Sequence, residues 1–418
     1  MGLDQDRRLT RVCQVADALA SLKRANGAGG ASPFLGACLH ALDAWIKLSG
    51  LTSDQSVLDI GSRIRRTSPQ MTAAAHGFTM PAEWSPQEAV WLSWPVDDPR
   101  HWGGAKRDLI WGKFAEIAAA ISRHEPVRIN APGSDHRAIA AACNRAKAVP
   151  ERVELFDHPH NDVWCRDHGP IFVKHRETGE TAVTDWGFNA WGGKFPPWDL
   201  DDAIPGRIAA ALGKRVFQGG MILEGGAIEV NGAGQLLTTE AVLLNPNRNP
   251  ELSREAIERR LRDGLGVSDI LWLERGIEGD DTDGHIDDLA RFCDERTVLA
   301  CVERDSASPN RKVLADNLAR IRSFAGPGGR PFDVVEIPLP EACEVPGWRL
   351  PVLPASYVNF LIVNGGVLVP VFRQARNDDR ALGIIREMFP DREVAAIDCL
   401  DLVEEGGTLH CISQQQPA

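Results

Sequence analysis

Apolar and polar positions along this chain fall into blocks whose period switches between two and about three and a half. Ala227 to Val230 and Gln235 to Thr239 read as strands on either side of Asn231-Gly232-Ala233-Gly234. Tyr357 to Val363 and Val367 to Val371 flank Asn364-Gly365-Gly366 in the same way. Asn-Gly between apolar runs is the strongest short-range hairpin signal, because tight hairpin turns need positive φ. Between the hairpins the spacing becomes helical: Ile257 and Leu261 within Ser253 to Leu265, and Val313, Leu314, Leu318 and Ile321 within Lys312 to Phe324. The recurring unit is therefore a hairpin plus a helix.

Polar motifs punctuate these units. They are Asn161-Asp162-Val163-Trp164-Cys165-Arg166-Asp167-His168, Leu223-Glu224-Gly225-Gly226, and Asp281-Thr282-Asp283-Gly284-His285-Ile286-Asp287-Asp288. Asp167 and Glu224 are 57 residues apart, Glu224 and His285 61, His285 and Asn359 74, and Asn359 and Cys411 52. A repeat in the tens of residues signals a propeller or array. Five such units around an axis would bring five polar motifs to one end, where distant residues form one site.

Cys411 stands out among them. Gly406-Gly407-Thr408-Leu409-His410 delivers it at the end of an apolar segment, in a chain without paired-cysteine spacing, which makes it a candidate nucleophile. His410 is its neighbour, but adjacent strand residues point to opposite faces, so His285 is the better candidate base. Cys165 reads as packing. Asp162, Asp283 and Asp288 read as supporting groups, since strand alternation cannot aim every acid inward.

Charge narrows the function. Lys and Arg total 46 against 58 acids, a net charge of −12, which argues against a nucleic-acid surface and suits a cationic substrate. Nine cysteines, an odd number without metal spacing, point to free thiols in a reducing cytoplasm. No stretch reads as a membrane span or secretion signal. The first seventy residues differ, with a net charge of +3 against −15 for the remainder. Leu9, Val12, Val15, Ala16, Leu19 and Leu22 have helical spacing, and Phe34 to Leu48 is a second helical candidate. Residues 1–70 are either a helical extension or an overcalled start before Met71. A transit peptide is disfavoured by six Asp.

From about Phe78 to Ala418 the chain resembles the agmatine deiminase and bacterial-type peptidyl-arginine deiminase group of the guanidine-modifying (pentein) superfamily. The matching words include Met80-Pro81-Ala82-Glu83-Trp84, Trp91-Leu92-Ser93-Trp94-Pro95, the Asn161 to Pro170 block, Phe188-Asn189-Ala190-Trp191-Gly192-Gly193, Thr282-Asp283-Gly284-His285 and His410-Cys411-Ile412-Ser413-Gln414-Gln415. The resemblance implies an α/β fold, a five-bladed α/β propeller. It also implies Cys411 as nucleophile, His285 as general acid and base, Glu224 beside His285, and Asp167 and Asp287 as carboxylates for a guanidinium that stays protonated at physiological pH. Trp94, Trp164 or Trp191 would pack the substrate's methylene chain, and Asp199-Leu200-Asp201-Asp202 would add acidic field at the entrance. The reaction needs no cofactor and no metal, and the partner is a small cationic guanidinium compound; a homodimer stays open.

Agmatine is the expected substrate, because arginine's carboxylate would need a cationic partner; Arg291 or Arg373 turned inward would supply one. An amidinotransferase would share the fold and pass the amidino group to an amine. A papain-like protease would place its Cys before its His, and a non-catalytic binding module would not retain all five positions.

Overall fold

Asn231 begins the hairpin that its sequence promises. Its Oδ1 accepts from the amides of Ala233 and Gln235 at 3.0 and 3.1 Å, while Gly232 and Gly234 take φ of 69° and 99°. Strands Glu229–Val230 and Gln235–Thr239 therefore pair antiparallel, with Glu229 opposite Leu237. Helix Arg254–Leu265 follows, its first turn capped by Ser253 Oγ accepting from Ala256 N, and it returns the chain to strand Asp269–Leu273. That strand lies parallel to Gln235–Thr239, with Asp269 beside Gln235.

The computed structural model describes residues 72–96, 103–345 and 352–418, within the compact unit Thr72–Ala418. The helices expected at Leu9 to Leu22 and Phe34 to Leu48 lie outside the described residues. Among the described residues there are five sheets, and each repeats the same plan. Ala290–Phe292 and Thr297–Val302 form a hairpin, and helix Asn310–Ser323 leads to parallel strand Asp333–Pro338. Leu361–Val363 and Gly366–Val371 are followed by helix Ala375–Met388 and strand Glu393–Asp398. Ile171–His175 and Thr181–Gly187 are followed by helix Ile204–Leu212 and strand Val216–Ile222, with Phe78–Thr79 added at the edge. In the fifth sheet the antiparallel pair is made by distant segments, Ser413–Pro417 against Gln87–Ser93; helix Gly103–Ser122 then leads to parallel Val127–Ala131.

The hairpins differ from expectation only at their openings. Tyr357 to Phe360 are not strand, and Gly225–Ala227 and Ile286–Asp288 make single turns before their strands begin. Those turns carry the polar motifs, so the site is built where each first strand starts. Helix faces supply the core: Ile110, Phe114, Ile117 and Ile121 are all fully buried, each contributing about 2 kcal/mol of burial. No helix among the described residues is long and apolar enough to cross a membrane.

Ionic contacts join the sheets. Arg291, completely buried, donates to Glu229 Oε2 and Glu83 Oε2, both at 2.8 Å, and to the carbonyl of Phe360 at 2.8 Å. Arg166 lies 3.6 Å from Glu83 Oε2, and its amide donates to the carbonyl of Cys411 at 3.1 Å. The lead-in segments of all five sheets thus meet around one group of buried charges.

Candidate active site

Cys411 ends the turn that precedes the last strand, and Asn359 fixes that turn. Asn359 Oδ1 accepts from Thr408 Oγ1 at 2.7 Å and from His410 N at 3.1 Å, while its Nδ2 donates to Cys411 Sγ at 3.1 Å. The thiol lies 3.8 Å from Asp287 Oδ2. Burial, reinforced by Asp287, Asp288 and Asp167, pushes the Cys411 thiol well above its ordinary value. Without a cation nearby, Cys411 is a thiol.

Asp167 is held from two sides. Trp191 Nε1 donates to Oδ2 at 3.0 Å and Gly226 N to Oδ1 at 3.0 Å. A Cβ on Gly226 would come within 2.6 Å of His285 Nδ1 and 2.7 Å of Asp167 Oδ1, so only glycine allows this approach. Trp191 itself sits at φ 54°, a conformation that a bulky residue rarely adopts; the indole bond to Asp167 is what this strained turn secures. Burial raises Asp167 to about 6, with Asp287 and Glu224 repelling its charge and His285 opposing the rise. Burial also raises Asp288 well above the carboxylate range, with Asp287 adding to it. Asp287, Asp288 and Cys411 each place one donor atom within 4.8 Å of the others, a spacing that a metal ion would accept.

His285 is fully buried, its Nδ1 3.7 Å from Asp167 Oδ1. Burial lowers its pKa, yet the charges of Asp167, Asp287, Glu224 and Asp280 outweigh burial and raise it overall. Glu224 is equally buried and gives one oxygen, Oε1, to Arg248 Nε at 2.5 Å. Arg248 also donates to Asp283 Oδ2 at 2.8 Å and to the carbonyl of Thr282 at 2.9 Å.

Some atoms remain without a hydrogen-bond partner in the protein: Glu224 Oε2, Asp287 Oδ1, and both ring nitrogens of His285. Buried polar atoms are rarely left so. Acceptors and an imidazole gathered in one place are what a guanidinium, with its fork of N–H donors, would satisfy.

Beside them lies a pocket lined by Asp162, Trp164, Asp167, Trp191, Phe195, Asp281, Thr282, Glu405, Gly406 and Cys411. His285, Glu224 and Asp287 are not part of this lining; His285 lies 3.7 Å from Asp167 and Asp287 3.8 Å from Cys411, both of which are. Trp164 and Trp191 line the pocket as expected. Trp94 does not: it packs edge-on against Trp111 and Phe114 in the core, because its strand face turns inward. The acidic run is also placed differently. Asp201 is buried and accepts from the amides of Asn161 and Asp162 at 2.7 and 3.2 Å, and Asp202 accepts from Phe188 N at 2.7 Å. Both secure the loops that carry the motifs. Asp162, expected only to support, reaches the lining. Cys165 is packing, its thiol pushed by burial to about 12.

Neither arginine considered for a substrate carboxylate reaches the pocket. Arg291 is consumed by Glu83 and Glu229, and Arg373 is exposed and paired with Asp398 and Asp401. Among the described residues no Lys or Arg lines the pocket. Arg248 and Glu83 went unassigned in the sequence. Glu83 lay inside a matching word, and Arg248 lay in Asn245-Pro246-Asn247-Arg248-Asn249, a turn-forming run with one cation.

Fold and site together define a guanidine-modifying class of α/β enzyme, in which a buried thiol lies among buried carboxylates. The chain belongs to the family of Porphyromonas-type peptidyl-arginine deiminases, whose sequence model matches residues 79–417. It is similar to the agmatine deiminase of Medicago truncatula, with 37% identity over 83% of this chain and 98% of that one. The agmatine deiminase of Pseudomonas aeruginosa strain LESB58 is 38% identical over 84% of this chain and 99% of its own. Among solved structures, that of the agmatine deiminase of Enterococcus faecalis superposes with a TM-score of 0.77 at 34% identity, covering 83% of this chain and 97% of the other.

Proposed function

We propose that the protein hydrolyses agmatine to N-carbamoylputrescine and ammonia, through a covalent intermediate on Cys411, with its five sheets arranged as blades around a pseudo-fivefold axis. The observation that carries the substrate class is the pocket itself, which is acidic and aromatic with no cationic side chain among its described lining residues. Agmatine is cationic at both ends, and such a lining suits it throughout. Arginine would bring a carboxylate into an acidic enclosure without a partner, at a cost of several kcal/mol.

Asp167 and Asp287 hold the guanidinium, and Glu224 Oε2 accepts from one of its nitrogens. The arriving cation offsets the carboxylates that keep Cys411 protonated, so Sγ releases its proton to solvent as substrate seats. Sγ attacks the guanidinium carbon to give a tetrahedral adduct. His285 protonates one amino group, ammonia departs, and an amidino-thioether remains. The now neutral His285 takes a proton from water, whose oxygen adds to the same carbon. Collapse breaks the C–S bond and forms the ureido carbonyl, and the hydroxyl proton passes to the departing sulfur, which restores the Cys411 thiol. Trp164 and Trp191 pack the methylene chain.

The −12 net charge fits a cationic small molecule better than nucleic acid. The seven described cysteines are all free and buried, which supports a reducing compartment such as the cytoplasm. Residues 1–70 contribute no catalytic group in this reading. Ammonia and ureido product measured with agmatine, free arginine and a short arginine peptide test it. Arginine or the peptide turned over with kcat/KM equal to or above agmatine's would overturn the substrate. The family's description keeps peptidyl arginine as the second reading.

A further inference from the structure

Asp287, the carboxylate nearest the thiol, is held by the residue beside the thiol. His410 Nδ1 meets Asp287 Oδ2 at 2.7 Å, and its Nε2 meets Glu83 Oε2 at 2.8 Å. The ring is 1% exposed, and His410 N donates to Asn359 Oδ1 at 3.1 Å. Glu83 is itself anchored: Oε1 accepts from Ile362 N at 2.8 Å and Oε2 from Arg291 at 2.8 Å. Ionised carboxylates only accept, so a ring between two of them donates from both nitrogens and carries both protons. That ring has no lone pair left to act as a base.

We propose that His410, anchored by Glu83, is a positioning residue that keeps Asp287 ionised and turned so that its Oδ1 faces substrate. The inference rests on the reading that Asp287 takes a guanidinium. Burial raises Asp287, but the hydrogen bond and charge of His410, with His285 and Arg291 assisting, bring it below its ordinary value. Burial likewise raises Glu83, and Arg291, His410 and Arg166 together carry it far below the carboxylate range. The other charged or titratable groups acting around this pair are Glu229, Asp288, Asp167, Asp280, Glu125, Arg392 and Cys411.

A purely structural His410 and a positioning one differ in what its loss moves. His410→Gln keeps an amide donor and removes the charge. In the full chain it should raise KM for agmatine about tenfold, the loss of one charge-assisted contact, with a smaller fall in kcat. The acid limb of kcat/KM, set by Asp167 in the wild type, should pass to Asp287 and move to higher pH, because Asp287, buried and without its imidazolium partner, protonates more readily. Alkylation of Cys411 by iodoacetamide, which needs no substrate, should also move upward: at the pH where the thiol ionises Asp287 keeps its charge, and without the imidazolium beside it that charge holds the thiol protonated more strongly, so labelling begins at higher pH. Glu83→Gln should give the same shifts in weaker form, and the double variant should be no worse than His410→Gln alone. An unchanged alkylation profile in both single variants overturns the inference, and so does additive loss in the double variant. If the wild type fails to convert agmatine, the substrate assignment falls, while the alkylation profiles still decide the role of His410.

Discussion

Arg248 donates Nε to Glu224 Oε1 at 2.5 Å, and neither side chain meets solvent. One oxygen of Glu224 is thereby fixed, and the other, without a protein partner, is left for substrate. Burial lowers the pKa of Arg248, but Glu224 and Asp283 raise it overall, so the cation is permanent. Arg248→Lys removes the fork that serves Glu224, Asp283 and the Thr282 carbonyl together. The expected result is a fall in kcat/KM of about a hundredfold, as when a buried charge loses a hydrogen-bonded partner. Steady-state kinetics on agmatine check this, with the melting temperature as control for folding.

Cys411→Ser should lower turnover to below about one per cent while leaving agmatine binding in place, because a hydroxyl keeps the shape and is a poor nucleophile here. His285→Ala should stall the cycle without removing the thiol. Intact-mass measurement distinguishes its steps: an adduct that forms on Cys411 and hydrolyses at the normal rate would take the water-activating role away from His285.

The pH profile follows from two groups that shift upward for opposite reasons. Asp167 must be ionised to hold a cation, and its value of about 6 places the acid limb of kcat/KM there, with activity lost as pH falls through it. His285 must be protonated to release ammonia. Its pKa is raised by Asp167, Asp287, Glu224 and Asp280 against the effect of burial, so the alkaline limb lies above the ordinary histidine range and activity is lost as pH rises through it. Asp167→Glu should move the acid limb, and Asp288→Asn should leave it in place.

Stability rests on Arg291 more than on any surface ion pair. Arg291→Met leaves Glu83 and Glu229 buried without their shared cation, which costs about 3–5 kcal/mol. Urea unfolding should show a lower midpoint with an unchanged slope. Replacing Arg373, exposed between Asp398 and Asp401, should change stability by about 1 kcal/mol or less.

A chain beginning at Met71 should turn over agmatine like the full chain, since every proposed catalytic group lies after it. Side-by-side kcat/KM values test this, and loss of activity in a soluble truncated protein would give residues 1–70 a role in the reaction.

Much of this was legible locally. Asn231-Gly232 marked a hairpin because turn chemistry acts over four residues, and Ser253 marked a helix start because a cap reaches only to Ala256. Cys411, Asp167 and His285 were legible as motifs. What sequence could not show were pairings made across sheets. Glu83 meets His410 from 327 positions away and Arg291 from 208, and no periodicity records such partners. Arg291 looked able to serve a substrate carboxylate and is instead spent on two buried acids. Trp94 sat in a matching word with an aromatic suited to substrate, but the word's face turns to the core. The Asp199 run read as an acidic field at the entrance, and Asp201 is instead buried, accepting from the amide of Asn161.

The fifth sheet is completed by Ser413–Pro417 lying against Gln87–Ser93, and Cys411 stands two residues before that closing strand. During synthesis, therefore, the acids and the histidine are made long before the thiol, and the thiol arrives with the strand that completes the fifth sheet. Placement of the thiol thus depends on a pairing between segments far apart in the chain, Ser413 opposite Leu92, so Cys411 takes its position only once that sheet has formed.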